Sequence, residues 1–256
     1  MFRRSLTRFL SHMGKGQSGM SSTMTEHRIL GTNFKGPFPE GTDSCVVATG
    51  CFWGSEKAMW RMPGMYTTAV VYAGGPTKDP TYQKVCSGNT GHTEAVLCVW
   101  ETDKLSFTDV VRMYLQCHDP TQVNGQGNDR GTQYRTALYY NSDDQKRITE
   151  AAIASYEKSL GGRTIATELR ALKPKGDVEY YYAEDYHQQY LASPGARQYC
   201  SAQPQGVQLE NAERWLPEDL KGKYTPKLPE AFWEKHAPTP HCVLREPHEQ
   251  FKWPPA

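Results

Sequence analysis

No apolar run in the 256 residues approaches the roughly 18 that a membrane-spanning helix needs. The chain has no CxxC pair and no CxxC followed by HxxxH, so a structural zinc site lacks a ligand set. No GxGxxG follows a strand-like stretch, and no GxxxxGK precedes a Ser or Thr, which leaves nucleotide cofactors without support. A surplus of charge is also missing. With 29 Lys and Arg against 28 Asp and Glu the net charge is +1, and no basic stripe is interleaved with aromatics, so bulk electrostatics make no case for nucleic acid. What remains is an ordinary globular composition, 38% hydrophobic and 22% charged, long enough for one domain with extensions.

Acidic residues are absent before Glu26, while Arg3, Arg4, Arg8 and Lys15 sit among serines. Phe2, Leu6, Phe9, Leu10 and Met13 would share one helix face. Residues 1–25 therefore read as a transit peptide, which predicts a mitochondrial and/or cytoplasmic protein, with Met20 or Met24 as alternative starts. A plain disordered N-terminus is the alternative. Seven cysteines are present: Cys45, Cys51, Cys86, Cys98, Cys117, Cys200 and Cys242. Their odd number and irregular spacing do not match a disulfide framework, and point to a reducing compartment with reactive thiols.

From Cys45 to Leu191 strand-like and helix-like stretches alternate. CVVATG (45–50) runs into a helix beginning FWGSEKAMW; TTAVVYAGG, TEAVLCVW and YRTALYY are further strands. Ser106, with Asp109 three residues on, caps one helix, and Ser142 caps a longer one that Gly161-Gly162 ends. TIATELR alternates cleanly, VEYYY reads as a strand or sheet edge, and AEDYHQQYL as a short helix. Long polar connections favour an α+β domain over a doubly wound parallel sheet. Nine of the 17 prolines lie between Pro204 and Pro255, where no apolar period persists. The expected organisation is a 1–25 leader, a 26–200 catalytic domain and a 201–256 Pro-rich coil wrapping over it or partly disordered.

Cys51 lies at a strand-to-helix junction. A thiol at a helix N-terminus feels the macrodipole and unpaired N–H groups, which favour the nucleophilic thiolate. Gly50 and Gly54 permit close approach, and Phe52 and Trp53 suit an apolar group such as an S-methyl. A buried core cysteine with aromatic neighbours explains the same residues equally well.

Four motifs, GCFWG (50–54), GHTEAV (91–96), HDPTQVNGQGNDRGTQYR (118–135) and AEDYHQQYL (183–191), together resemble the peptide methionine sulfoxide reductases of the A class, in order from about Val46 to Tyr199. The resemblance implies an α+β single domain with a mixed or antiparallel ferredoxin-like sheet core flanked by helices, and reduction of the S epimer of methionine sulfoxide. It implies that Cys51 attacks the sulfoxide sulfur and becomes a sulfenic acid. Glu94 would be the acid that serves the oxygen, its carboxyl kept protonated by burial in an apolar strand; an exposed strand-end carboxylate is the alternative. Tyr82 and Tyr134 match tyrosines that hydrogen-bond the oxygen, and Asp129 an acid that orients the pocket. Phe52, Trp53 and Tyr190 would form its wall, with Tyr199 a weaker candidate. His92, His118 and His187 fall in matching motifs as structural residues.

Cys200 aligns with a resolving cysteine that would form a disulfide with Cys51, to be opened by thioredoxin as external reductant. Many relatives carry a further cysteine a few residues on in a glycine-rich tail; here the chain reads SAQPQGVQLENAE. Either the cycle is complete with Cys51 and Cys200, the favoured reading, or Cys242 relays the disulfide outward. Cys45, Cys86, Cys98 and Cys117 are expected to be buried apolar residues. The expected partners are oxidised proteins carrying methionine sulfoxide and thioredoxin, with no bound cofactor or metal and a monomeric chain. A binding or sensing module that keeps the pocket without turnover is the alternative function.

Overall fold

The computed structural model describes residues 23–254, so the leader-like segment lies outside the described residues except for 23–25. The chain forms β1 (Thr42–Thr49), α1 (Phe52–Trp60), β2 (Met65–Ala73), α2 (Tyr82–Cys86), β3 (Thr93–Glu101) and α3 (Phe107–Gln116). A two-stranded ribbon, β4 (Gly125–Gln126) and β5 (Asp129–Arg130), leads to β6 (Thr136–Tyr140), α4 (Asp143–Ser159), β7 (Glu168–Ala171) and β8 (Tyr180–Tyr182). The extension adds α5 (Lys221–Tyr224), α6 (Glu230–His236) and α7 (Cys242–Arg245).

Six strands form one mixed sheet in the order β7-β6-β1-β3-β2-β8, antiparallel except for the β6–β7 pair. Helix α1 carries the chain from β1 across to β2, leaving a gap that β3 fills. Helix α3 then carries it from β3 to β6 on the far side of β1. Both faces of the central strands are buried, which is why they read as continuous apolar runs rather than alternating ones. Cys45, Val47, Val70, Tyr72, Val96 and Cys98 share a core with residues of α1, α3 and α4. Val46, Ala48, Val71, Ala95 and Leu97 pack instead with Phe34, Leu172 and Val178. Buried His27 pins the N-terminal segment: Nδ1 accepts from the N–H groups of Ile29 and Leu30, and Nε2 meets the Thr68 hydroxyl at 3.0 Å.

Ser106 and Asp109 form the reciprocal capping box expected of α3, and Ser142 caps α4. VEYYY contributes the edge strand β8. Two expectations need correction. Only the second half of TIATELR pairs as a strand, because the Ala166 N–H donates to Pro120 O and the Thr167 hydroxyl meets Tyr114 at 2.9 Å instead. AEDYHQQYL is not a helix but two 3₁₀ turns, Asp185–His187 and Tyr190–Ala192, separated by Gln189 at φ 48°. The Gln188 side chain bonds Val70 N and O, and the Gln189 N–H and amide donate to Glu56, so side chains capture the groups a helix would need.

The extension, expected as a Pro-rich coil wrapping over the domain or partly disordered, is only partly coil. It carries short helical turns and buries Leu209, Leu216, Leu220, Tyr224, Leu228, Phe232 and Trp233 in the main cluster. Isolated apolar residues thus do what periodicity could not reveal. Polar anchors fix it to α3: the Ser106 and Thr108 hydroxyls donate to Tyr224 O, and Asp109 accepts from Lys227 N at 2.8 Å. Its end lies along α1, where Trp60 Nε1 donates to His248 O and Phe251 N to Arg61 O, each at 2.7 Å.

Candidate active site

Strand β1 stops at Thr49, Gly50 turns the chain with φ +97°, and Cys51 occupies the N-cap of α1. A side chain at Gly50 would be disfavoured by that φ, and its Cβ would lie 2.6 Å from the Cβ of Gln126. Glu94 opposes Tyr72 in the β2–β3 register and shares the face of Val96 and Cys98. That face delivers its carboxylate to the start of α1, where Phe52 N donates to Glu94 Oε2 at 3.1 Å.

Glu94 is 1% exposed, which excludes the strand-end alternative. Burial pushes its carboxyl up to about 8; the Phe52 N–H opposes this and the Asp129 charge adds to it. The carboxyl is therefore protonated at neutral pH. The same burial corrects the expectation of a ready thiolate. Cys51 retains some accessible surface, yet desolvation raises its thiol well above the ordinary range, with Glu94, Asp129 and Cys200 adding to the shift. A hydrogen bond from the Trp53 backbone is the one favourable helix-end contribution, and it does not prevail.

The predicted polar residues converge here. Tyr134 is raised first by desolvation, then by the charges of Glu94 and Asp129, and Tyr82 is raised by desolvation, a hydrogen bond to Cys86 and the charge of Glu94. Asp129, on β5, accepts from the Tyr199 hydroxyl at 2.6 Å, while its Oδ2 is buried without a partner among the described residues. Tyr199 thus belongs to the site more directly than its motif suggested. Glu184, which sequence reading missed, accepts from the Tyr82 N–H at 3.0 Å and the Tyr72 hydroxyl at 2.8 Å. It lies inside AEDYHQQYL, but nothing in the string marks it as a clamp on a residue 102 positions away.

Phe52 is buried, and Trp53 stacks on Tyr190 with ring centroids 3.9 Å apart. His187 touches the Phe52, Trp53, Tyr82 and Tyr186 rings. His92 and His118 instead hold backbone: His92 bridges Gly75 N and Thr77 O, and His118 bridges Tyr114 O and the Thr136 hydroxyl. Among the described residues no three His, Cys, Asp or Glu side chains form a potential metal cluster.

Cys200 is buried against the first turn of α1. A Cβ built on Gly54 would lie 2.6 Å from its Sγ, so glycine there makes room for the second thiol. Cys242 begins α7, and Val243 beside it faces the same glycine. Cys200 and Val243 help line a cavity of about 140 Å³ between the domain and the extension. Cys45, Cys98 and Cys117 are buried as expected. Cys86 is not: it ends the surface helix α2, whose only buried residue is Val85, and its thiol hydrogen-bonds Tyr82.

A cysteine at a helix start, a neutral carboxyl beside it, phenol donors, an aromatic wall and a second cysteine behind the same helix turn define a thiol-dependent oxidoreductase. Residues 43–218 match the family model described as Peptide methionine sulfoxide reductase, and the chain belongs to that family. It is 45% identical over 197 residues to peptide methionine sulfoxide reductase MsrA of Azorhizobium caulinodans, covering 75% of this chain and 87% of the relative. To the Salinispora arenicola MsrA it is 46% identical over 187 residues, covering 71% and 82%. Methionine sulfoxide reductase A of Corynebacterium diphtheriae superposes with a TM-score of 0.62 at 36% identity, over 83% of this chain and all of that one. Mxr1 of Saccharomyces cerevisiae in reduced form gives 0.56 at 30% identity, over 64% and 91%. The protein is an oxidoreductase acting on methionine sulfoxide, and the binding module without turnover is not favoured.

Proposed function

We propose that Cys51 is the nucleophile and Glu94 the acid in reducing the S epimer of methionine sulfoxide, within proteins or free. The observation that carries this is the buried Glu94 carboxyl, raised to about 8 and hydrogen-bonded to the first N–H of the helix that Cys51 caps. With Oε2 accepting the Phe52 N–H, the acid proton belongs on Oε1. Phe52, Trp53 and Tyr190 would enclose the S-methyl group. Tyr82 and Tyr134 would donate to the sulfoxide oxygen as negative charge builds on it, and Asp129, which accepts from Tyr199, would orient the pocket.

In the first step the Cys51 sulfur bonds to the sulfoxide sulfur and Glu94 protonates the oxygen, while the thiol proton passes to the carboxylate. Transfer of the hydroxyl to Cys51 releases methionine and leaves Cys51 sulfenic acid, with Glu94 protonated again. Cys200 then attacks the sulfenic sulfur, expelling water and forming a Cys51–Cys200 disulfide. A dithiol, for which thioredoxin is the expected partner, reduces it by exchange. Packing of Cys200 against Gly54 supports the two-cysteine cycle; the position of α7 keeps Cys242 as a relay candidate. The β6-β1-β3-β2 order with two helical crossovers supports a ferredoxin-like core, and the chain is taken to act as a monomer.

The decisive experiment is a single turnover without reductant. Wild-type enzyme should release one methionine per chain and Cys51→Ser none; normal release by the variant would sink the assignment. Mass mapping of disulfides after that turnover should find Cys51–Cys200, whereas Cys200–Cys242 would establish the relay.

A further inference from the structure

The β4–β5 ribbon stands apart from the six-stranded sheet, and it grips the chain on both flanks of Cys200. From β5, Asp129 accepts from the hydroxyl of Tyr199, the residue before it. From β4, Gln126 Oε1 accepts from the Gln203 N–H at 3.0 Å, three residues after it. We propose that Gln126 is a positioning residue for disulfide formation, which by holding this N–H keeps the Cys200 sulfur within reach of Cys51. The inference rests on the reading that Cys200 is the resolving thiol.

On its other side Gln126 is joined to fixed structure. It is 1% exposed, its Oε1 also accepts from the Asp119 N–H at 3.1 Å, and its Nε2 donates to Asp119 O at 2.9 Å. Asp119 follows His118, which is bonded to Tyr114 O in α3 and to the Thr136 hydroxyl at the start of β6. The amide therefore ties the tail to the end of α3 and to the main sheet. Its stem lies against the turn that carries the nucleophile: a Cβ built on Gly50 would lie 2.6 Å from Gln126 Cβ and 2.8 Å from Cγ. One residue on, a Cβ at Gly127 would collide with the Ser201 carbonyl oxygen, so the tail crosses the ribbon in direct contact. The turn that delivers Cys51 and the segment that follows Cys200 thus meet across one side chain.

Closing the 119–126 loop does not account for all of this. The two bonds to Asp119 close that loop by themselves, whereas the third reaches a residue 77 positions away. Residues 201–205 form no regular element, so side-chain bonds such as this one set the course of the backbone there. Resolution is demanding in geometry. The Cys200 sulfur must bond to the sulfenic sulfur of Cys51 as the S–O bond breaks, the hydroxyl leaving as water with the thiol proton. A thiol on restrained backbone avoids much of the cost of reaching that alignment.

Two variants cut the same bond from opposite ends. Gln126→Met keeps the stem against Gly50 and loses the amide; Gln203→Pro removes the N–H and leaves both Asp119 bonds intact. A single turnover with a methionine sulfoxide peptide, quenched in acid, times methionine release and the Cys51–Cys200 disulfide separately. In Gln126→Met release should stay within about twofold of wild type, while the disulfide should form about tenfold more slowly or worse and sulfenic acid accumulate. Gln203→Pro should show the same split, and it decides the matter should the methionine variant not fold. The double variant should be no slower than the slower single one, since the second change has no bond left to break. An unchanged disulfide rate, equal slowing of both steps, or additive slowing in the double variant would overturn the proposal. Wild-type enzyme is the control for the underlying reading: a turnover that leaves no Cys51–Cys200 disulfide removes Cys200 as the resolving thiol, and the role of Gln126 with it.

Discussion

The backbone N–H of Phe52 and the carboxyl of Glu94, 42 residues apart in sequence, meet at 3.1 Å where α1 begins. The bond orients the acid toward the thiol on the preceding residue without ionising it. With its carboxyl raised to about 8, Glu94 is fully protonated below that pH and loses its proton as pH climbs through it. Single-turnover release of methionine should therefore show a descending limb centred near pH 8. Glu94→Gln keeps an acceptor for Phe52 but has no proton to transfer, so the rate should fall roughly 10²–10⁴-fold and the limb should vanish. A limb that survives the substitution belongs to another group.

Glycine 54 leaves the space that the Cys200 sulfur occupies. In Gly54→Ala the new methyl group would displace a movable thiol rather than backbone, so the fold should persist and Cys51 should still be oxidised. Disulfide formation should slow by about tenfold or more, because a 1 Å misplacement of a reacting group is enough for such losses. Rapid acid quench and mass analysis would resolve the sulfenic acid from the disulfide; equal slowing of both steps would contradict this account.

Cys200→Ser removes the proposed resolving thiol but none of the groups proposed around the sulfoxide. One methionine per chain should be released at close to the normal rate, with thioredoxin-driven cycling lost. Undiminished cycling would assign resolution to Cys242 or another thiol.

How much of this was legible in the string differs by element. The inner strands declared themselves because burial on both faces leaves only apolar residues, and Ser106 with Asp109 announced α3 through a local bond pattern. The candidate site could be sought in GCFWG and GHTEAV because each holds its chemical groups in contiguous residues, and the structure brings the two segments together. Segment 183–191 was misread because Glu56 and Val70, both far away in sequence, capture its polar groups. The state of Cys51 was misread for a related reason: the helix start is local, whereas the burial and the Glu94 carboxyl that outweigh it are tertiary. In the extension, single residues such as Leu209 and Trp233 have no period to detect and gain meaning only against α3 and its neighbours.

Stability should peak on the acid side of neutrality, from two opposed sets of buried groups. Glu56 and Asp109 are raised to about 7 and Glu94 to about 8 by burial, so their contribution is complete below the unfolded carboxyl range and is lost progressively as pH rises from that range up to 7 to 8. His27 is lowered to about 3, and His118 and His187 to about 4, so their neutral forms favour the fold above the ordinary histidine value and oppose it as pH falls below 6.5. Urea midpoints should fall from pH 5 through 7 to 9, because the two sets nearly cancel between 5 and 6.5 and only the carboxyl loss remains above that; a steady rise to 9 would mean the carboxyls are ionised in the fold.

The last prediction concerns residues 201–254, which the sequence presents as a Pro-rich appendage and the structure packs as part of the domain. Phe232 and Trp233 are 0% and 1% exposed in the main core cluster, and the Arg112 guanidinium lies 4.7 Å from the Trp233 ring while its nitrogens bond Glu230. Truncating a buried aromatic removes its transfer energy and leaves a cavity, typically about 3–5 kcal/mol in total. Phe232→Ala should therefore lower the unfolding free energy by about that amount, with a single cooperative transition. An exposed substitution nearby, Glu234→Ala, should stay within about 0.5 kcal/mol. If the extension were instead a loosely attached coil, Phe232→Ala would leave the denaturation midpoint of the whole chain unchanged, or split the transition in two as the tail melts alone. Denaturation followed by far-UV circular dichroism, which reports the sheet and the helices packed on it, separates these outcomes: one transition moved to lower denaturant is expected, and an unmoved or split one would detach the extension from the domain.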